Sequence, residues 1–262
     1  MDSLCLRDGD DVIATLLTQG PWDPNAQYGG APCALLTAAV EAVPTLVPMR
    51  VARLTFDMHR PVPIDRLRVS TEIARQGKRL QLVTATISAS GTEVARCTAL
   101  RLRIGDGPDA PSDPVLPVIT PPPLPDASLA ERSPARSHSG FIEGMEIRIP
   151  GERRATAWYR LTKPVLSDEP NPSPLVRLAM AADFTANSGN YLDQTRWSGI
   201  NPDLTINLAR YPAGEWTAVA TRAWYERDGI GHARADLFDL DGFVGTCTTM
   251  ALVDEVPAPY VS

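Results

Sequence analysis

The pattern of apolar and polar positions changes period several times along the chain. Pro32–Val43, PCALLTAAVEAV, is apolar almost all round, as a helix buried on most sides must be. Its opening proline suits a first helical turn. Four segments of period-two alternation follow, near Val51–Arg60, Leu67–Arg75, Leu80–Ala89 and Glu93–Ile104. Leu54, Phe56 and Met58 point to one side of their strand, as do Leu100, Leu102 and Ile104. A short strand at Asp11–Leu17 precedes the helix. The same layout returns later: a strand at Ala155–Leu161, a Pro-led helix at Pro174–Asn187, then strands near Leu204–Arg210, Trp216–Glu226, His232–Asp239 and Val244–Val253. Gln76-Gly77, Ser90-Gly91, Arg227-Asp228-Gly229 and Asp241-Gly242 mark turns. One apolar helix followed by antiparallel strands is an α+β pattern, and a curved sheet wrapped around the helix satisfies it.

The two runs resemble each other in sequence. Leu54-Thr55-Phe56-Asp57-Met58-His59-Arg60 aligns with Leu204-Thr205-Ile206-Asn207-Leu208-Ala209-Arg210. Gly91–Thr98 aligns with Gly242–Thr248, given one gap. Two matches in the same order indicate a doubled domain. Between the copies, residues 105–138 carry nine of the 25 prolines, the composition of an extended connector. The expected organisation is an N-terminal domain over 1–104, a proline-rich linker over 105–138 and a C-terminal domain over 139–262.

Composition narrows the functional classes. The chain has 262 residues and a formal net charge of −6, against a broad basic face for nucleic acid. No window approaches the roughly 18 apolar residues of a membrane span. The N-terminus lacks a basic n-region and an apolar h-region, so no signal peptide is expected. Four cysteines without CxxC spacing fit a reduced, cytoplasmic protein, with Cys33, Cys97 and Cys247 as small core residues. The histidines His59, His138 and His232 form no constellation. There is no G-x-S-x-G, P-loop or HExxH. The five tryptophans are irregularly spaced, so packing is the default reading for them.

Several features together carry a family resemblance: Gln27-Tyr28-Gly29-Gly30 entering the first helix, Arg60-Pro61 ending a strand, Gly91…Val94-Ala95…Cys97, the stretch Asn201-Pro202-Asp203-Leu204-Thr205, and the degenerate second copy. The chain resembles double hotdog acyl-CoA thioesterases, the bacterial thioesterase II group and its actinobacterial relatives. The resemblance implies two tandem hotdog domains, each an antiparallel sheet around a central helix. It also implies an Asp on the second helix that activates water; that position is Asp183. A Thr and a Gln that hold the water in the family fall on Asn201 and Thr249, so two of three positions differ. Thr248 is the neighbouring hydroxyl. Backbone near Gly29 and Gly30 would polarise the thioester carbonyl from the other domain's helix.

The residues add their own support. Val176, Ala179 and Met180 share the helix face of Asp183, so its carboxyl would be buried and its pKa raised, which suits a general base. The alternative is an Asp that caps a loop or pairs with Arg177. Glu41 lies nine residues after Pro32, as Asp183 lies nine after Pro174. That spacing makes Glu41 the twin acid, either a second group at the substrate or a structural one. The expected function is hydrolysis of a fatty acyl-CoA to free acid and CoA. Asp183, Asn201, Thr249 and Gly30 would be catalytic, and Gly29, Thr248 and Glu41 would contact substrate. The alternative is a catalytically weak acyl-CoA- or lipid-binding protein on the same fold. No metal or redox cofactor is implied, and CoA enters as part of the substrate. Unpaired backbone on the outer strands points to a homodimer or larger homo-oligomer.

Overall fold

The computed structural model describes residues 3–21, 23–107, 120–126, 139–150, 155–188, 192–193 and 196–256. Thirteen strands form one antiparallel sheet that curves around two buried helices. In the N-terminal half β1 (Cys5–Asp8) and β2 (Asp11–Ala14) precede α1 (Gly30–Ala42). Then come β3 (Met49–Met58), β4 (Arg66–Arg75), β5 (Leu80–Ala89) and β6 (Thr92–Arg103). The C-terminal half has α2 (Gly140–Glu143), β7 (Met145–Arg148), β8 (Thr156–Leu161), α3 (Pro174–Ala182) and α4 (Thr185–Ser188). It continues with β9 (Trp197–Ile200), β10 (Asp203–Leu208), β11 (Trp216–Tyr225), β12 (Ile230–Asp239) and β13 (Gly242–Glu255).

The duplication is visible in the strand register. The order is β1-β2-β4-β5-β6-β3-β10-β13-β12-β11-β8-β7, with β9 beside β13. The halves join where β3 meets β10. Thr55 faces Thr205, Leu54 faces Ile206 and Phe56 faces Leu204, so the aligned segments pair about a pseudo-twofold axis at the two threonines. Leu54, Phe56, Leu204 and Ile206 are buried beneath the helices. Each such side chain contributes about 1.5–3 kcal/mol relative to exposure.

The helices run antiparallel. The first turn of α1 lies against the last turn of α3, and Glu41 near the end of α1 touches Ser173 at the start of α3. Ser173 caps α3 by accepting from Val176 N–H at 3.1 Å. The buried Arg101 closes the other end of the pair. It donates to the carbonyls of Val40 and Val43, each at 2.6 Å, and to Gln81 Oε1 at 3.0 Å, placing a cation at the C-terminus of α1.

Two expectations need correction. The second helix does not run unbroken to Asn187: it stops at Ala182, turns through Asp183 and Phe184, and resumes at Thr185. The outer edge of β1 is not left open, because Leu4 and Cys5 N–H donate to the carbonyls of Pro164 and Val165, and Ser167 N–H donates to Cys5. Most of the 105–138 connector lies outside the described residues. Its 120–126 stretch packs on the C-terminal half, where Trp158 Nε1 donates to Pro123 and Arg148 donates to Pro125. Short edge elements β1, α2, β7 and β9 carried no periodic signal. All four cysteines are free and buried. Trp158 is buried, whereas Trp224 is half exposed and stacks on His232; Trp22 and His138 lie outside the described residues.

Candidate active site

Asp183 occupies the C-cap of α3 with helical backbone angles, φ −61° and ψ −25°. It is 2% exposed. Its carboxylate sits against the first turn of α1, and the two glycines there make room for it. A Cβ on Gly29 would lie 2.7 and 2.9 Å from the two carboxylate oxygens. A Cβ on Gly30 would lie 2.8 Å from the Met180 carbonyl and from Phe141 Cζ. Gly29 has φ −55°, open to any residue, so space and not backbone conformation selects glycine here.

Two donors hold the carboxylate: Asn201 Nδ2 at 2.8 Å from Oδ1, and the Gly30 N–H. Burial pushes the Asp183 pKa up to about 6, and the hydrogen bonds from Asn201 and Gly30 act in the opposite direction. The group is therefore ionised at neutral pH yet close enough to neutrality to accept and return a proton. Arg177 is not its partner; that guanidinium donates to the carbonyls of Pro172 and Leu161.

Aromatic rings wall this junction. Tyr28 stacks on Phe141 and on Phe184, with centroids 4.9 and 5.0 Å apart, and Tyr159 stacks on Phe184 at 4.2 Å. These rings come from four separate segments, and of the four Tyr28 alone belongs to a stretch singled out in the sequence. In the first turn of α1, burial and the nearby Asp183 carboxylate push the Cys33 thiol well above its ordinary range. Among the described residues no three His, Cys, Asp or Glu side chains converge as metal ligands.

The structure brings together Asp183, Asn201, Gly29 and Gly30, and gives the other named positions different partners. Thr249 is buried on the inner face of β13, but its hydroxyl donates to the Asp203 carbonyl at 2.6 Å and so braces the start of β10. Thr248 points to the opposite, outer face, because neighbours in a strand alternate; it is paired with Thr205 across β10. Glu41 lies at the far end of the helix pair. Its Oε2 accepts from the Ser173 hydroxyl at 2.5 Å and its Oε1 from the Tyr211 hydroxyl. The sequence reading missed both: the signal for Ser173 was its N-cap place directly before Pro174, and Tyr211, in the loop after β10, gave none.

The N-terminal half, residues 18–102, matches the model of the acyl-CoA thioesterase N-terminal domain, and residues 107–253 match that of the acyl-CoA thioesterase C-terminal domain. The chain belongs to the acyl-CoA thioesterase family. Solved structures share its two-domain hotdog fold. A thioesterase-like protein from Novosphingobium aromaticivorans superposes with a TM-score of 0.69 at 21% identity, covering 96% of this chain and 99% of that one. A hot dog fold protein of unknown function from Alicyclobacillus acidocaldarius gives 0.69 at 17%, covering 95% of each. An acyl-CoA thioesterase II from Mycobacterium marinum gives 0.63 at 18%, covering 93% and 97%. No curated protein matches the chain. Among the described residues no helix is long and apolar enough to cross a membrane.

Proposed function

We propose that the protein hydrolyses a fatty acyl-CoA thioester, with Asp183 as general base, in the manner of the thioesterase II group. The observation that carries this reading is a fully buried carboxylate, poised near pH 6, at the junction of α3 with the N-terminal turn of α1. Asp183 takes a proton from water, and the hydroxide attacks the thioester carbonyl carbon. The resulting oxyanion is stabilised by backbone N–H groups at the start of α1, where the helix dipole favours negative charge. The C–S bond then breaks, and the CoA thiolate leaves with the proton returned by Asp183. Because Gly30 N–H binds the Asp183 carboxylate in the free protein, substrate must draw that carboxylate aside to use the same donor. Asn201 orients the base, and Thr249 positions Asn201 through the Asp203 carbonyl.

A panel of acyl-CoA chain lengths, followed by thiol release, tests the reading. Turnover supports it, and tight binding without turnover across the panel overturns it. The second outcome would make the protein an acyl-CoA- or lipid-binding module. One observation favours that alternative: the Thr249 hydroxyl is bonded to backbone rather than directed to a water at Asp183.

We further propose a cytoplasmic homo-oligomer. Ile200, Leu252 and Ile230 stand in one cross-strand row of the outer sheet face, beside Met250 and Trp224, and all five are exposed. Such a contiguous apolar patch suits a partner surface. Sedimentation at micromolar concentration should show more than a 28.3 kDa species.

A further inference from the structure

A cavity of about 320 Å³ lies between the β8–α3 loop and the start of β11, at the end of α3 remote from Asp183. Arg160, Lys163 and Arg177 line it, with Glu215 as the acidic member. Pro170 and Pro172 stiffen its rim. This gathers cations on a chain whose net charge is −6.

The two guanidinium groups are fixed before any ligand arrives. Arg177 is 11% exposed and is held by Nε to the Pro172 carbonyl at 3.1 Å and by Nη1 to the Leu161 carbonyl at 3.2 Å. Arg160 is held by Glu146 through Nε at 3.0 Å and through Nη2, with its guanidinium over the Trp216 ring. Each arginine keeps one terminal nitrogen toward Glu215: Nη2 of Arg177 at 3.7 Å and Nη1 of Arg160 at 3.6 Å. Both separations exceed hydrogen-bond length, and Glu215 is 58% exposed. The carboxylate spans the gap between two preorganised donors without bonding to either.

We propose that this cavity is a binding site for a phosphate group, whose oxygens would replace the long Glu215 ion pairs on both guanidinium groups with hydrogen bonds. Arginine forks match phosphate geometry, and charge-assisted bonds of this kind run shorter and stronger than the present contacts. Two sources share the chemistry: the nucleotide phosphates of CoA, and a free phosphorylated metabolite. The cavity lies roughly 9 Å of helix rise from Asp183, counted from Arg177. It would hold a part of the ligand other than the thioester, and its test needs no turnover.

Isothermal titration of the full chain with inorganic phosphate, adenosine 3′,5′-bisphosphate and CoA reads the proposal directly. Binding by at least one probe, weakening with salt, is expected. The bisphosphate and CoA binding much more tightly than inorganic phosphate identifies the CoA nucleotide as the source; comparable binding of all three identifies a free phosphate group. Glu215→Gln, an exposed change that spares the fold, should tighten binding about two- to fivefold. Arg160→Gln and Arg177→Gln should each weaken it about 10- to 100-fold. Absence of binding by all three probes overturns the proposal. So does binding that is indifferent to both Glu215→Gln and Arg160→Gln, whether or not Arg177→Gln folds.

Discussion

Replacing Asp183 by Asn separates a catalytic carboxylate from a merely buried one. The amide keeps the size of the side chain and its Oδ1 can still accept from Asn201, 2.8 Å away in the native protein. What it loses is basicity, so thioester hydrolysis should fall about 10²- to 10⁴-fold. The stability effect follows from the raised pKa. The folded-state value is about 6 against 3.8 for the unfolded chain, so between these limits the native state binds more protons than the unfolded one. Stability contributed by Asp183 is then fully present below pH 4 and is lost as pH rises through 6. A difference of this size between the folded and unfolded chain corresponds to about 3 kcal/mol lost across that window. In the Asn variant this slope disappears. Relative to the variant, the wild type should therefore lose about 2.4 kcal/mol of that between pH 4 and pH 7, measurable by urea denaturation at matched pH. The wild-type rate should rise with pH to a plateau above 6 and stand about tenfold below it at pH 5, where only about a tenth of Asp183 is ionised. Glu41→Gln is the control and should leave the rate within a few-fold, since both Glu41 oxygens accept from hydroxyls at the other end of the helix pair. A folded Asp183→Asn protein with the wild-type rate would refute the assignment, as would parallel stability profiles for the two proteins.

Other perturbations probe the same junction and the domain boundaries. Asn201→Ala removes the donor that favours the ionised carboxylate, so the midpoint of the pH–rate profile should move up from about 6 to about 7. Gly29→Ala places a methyl 2.7 Å from Asp183 Oδ1 without straining the backbone; kcat should drop about 10²-fold while the melting temperature changes far less. Limited proteolysis should cut first within 105–138, away from the packed 120–126 stretch. The fragments should remain associated through β3 and β10, as judged by size-exclusion chromatography.

The long elements were legible because their periods were unambiguous. The expected strand Leu80–Ala89 has the observed limits, and the other long strands shift by at most a few residues at their ends. The repeat Leu54–Arg60 and Leu204–Arg210 marked the junction of the halves, since the same apolar positions must pack about one axis. Less visible were features set by tertiary pairing. β9 exists because residues 197–200 find the edge of β13, and β1 because it reaches both β2 and the segment after β8. At the site, the two glycines were readable as a helix start and Asp183 as an acid on an apolar helix face, whereas the break of the helix at Asp183 was not. The Thr249 hydroxyl was not, because sequence fixes its strand but not which acceptor the hydroxyl meets. Thr248 failed for a simpler reason: adjacent strand positions face opposite sides of the sheet, so both hydroxyls could not serve one site.

Under the proposed mechanism, the pseudo-twofold places one reactive junction and one structural one in a single chain. Antiparallel packing of α1 and α3 creates two equivalent meetings of a helix end with a helix start. At one, glycine removes side-chain bulk, so a carboxylate lies directly on the backbone and is desolvated enough to be poised near pH 6. At the other, Ser173 supplies a hydroxyl cap, Tyr211 closes over the longer Glu41, and Arg101 draws in the helix-end carbonyls behind it. Burial and the neighbouring Glu41 push the Tyr211 hydroxyl above its ordinary pKa, so it stays protonated and keeps donating. A carboxylate with both oxygens engaged by neutral hydroxyls has little capacity left to activate water, and its bonds tie the two domains together instead. Glycine at one helix start and serine at the other thus give equivalent positions of a duplicated fold different surroundings, and the proposed division between a catalytic Asp183 and a structural Glu41 rests on that difference.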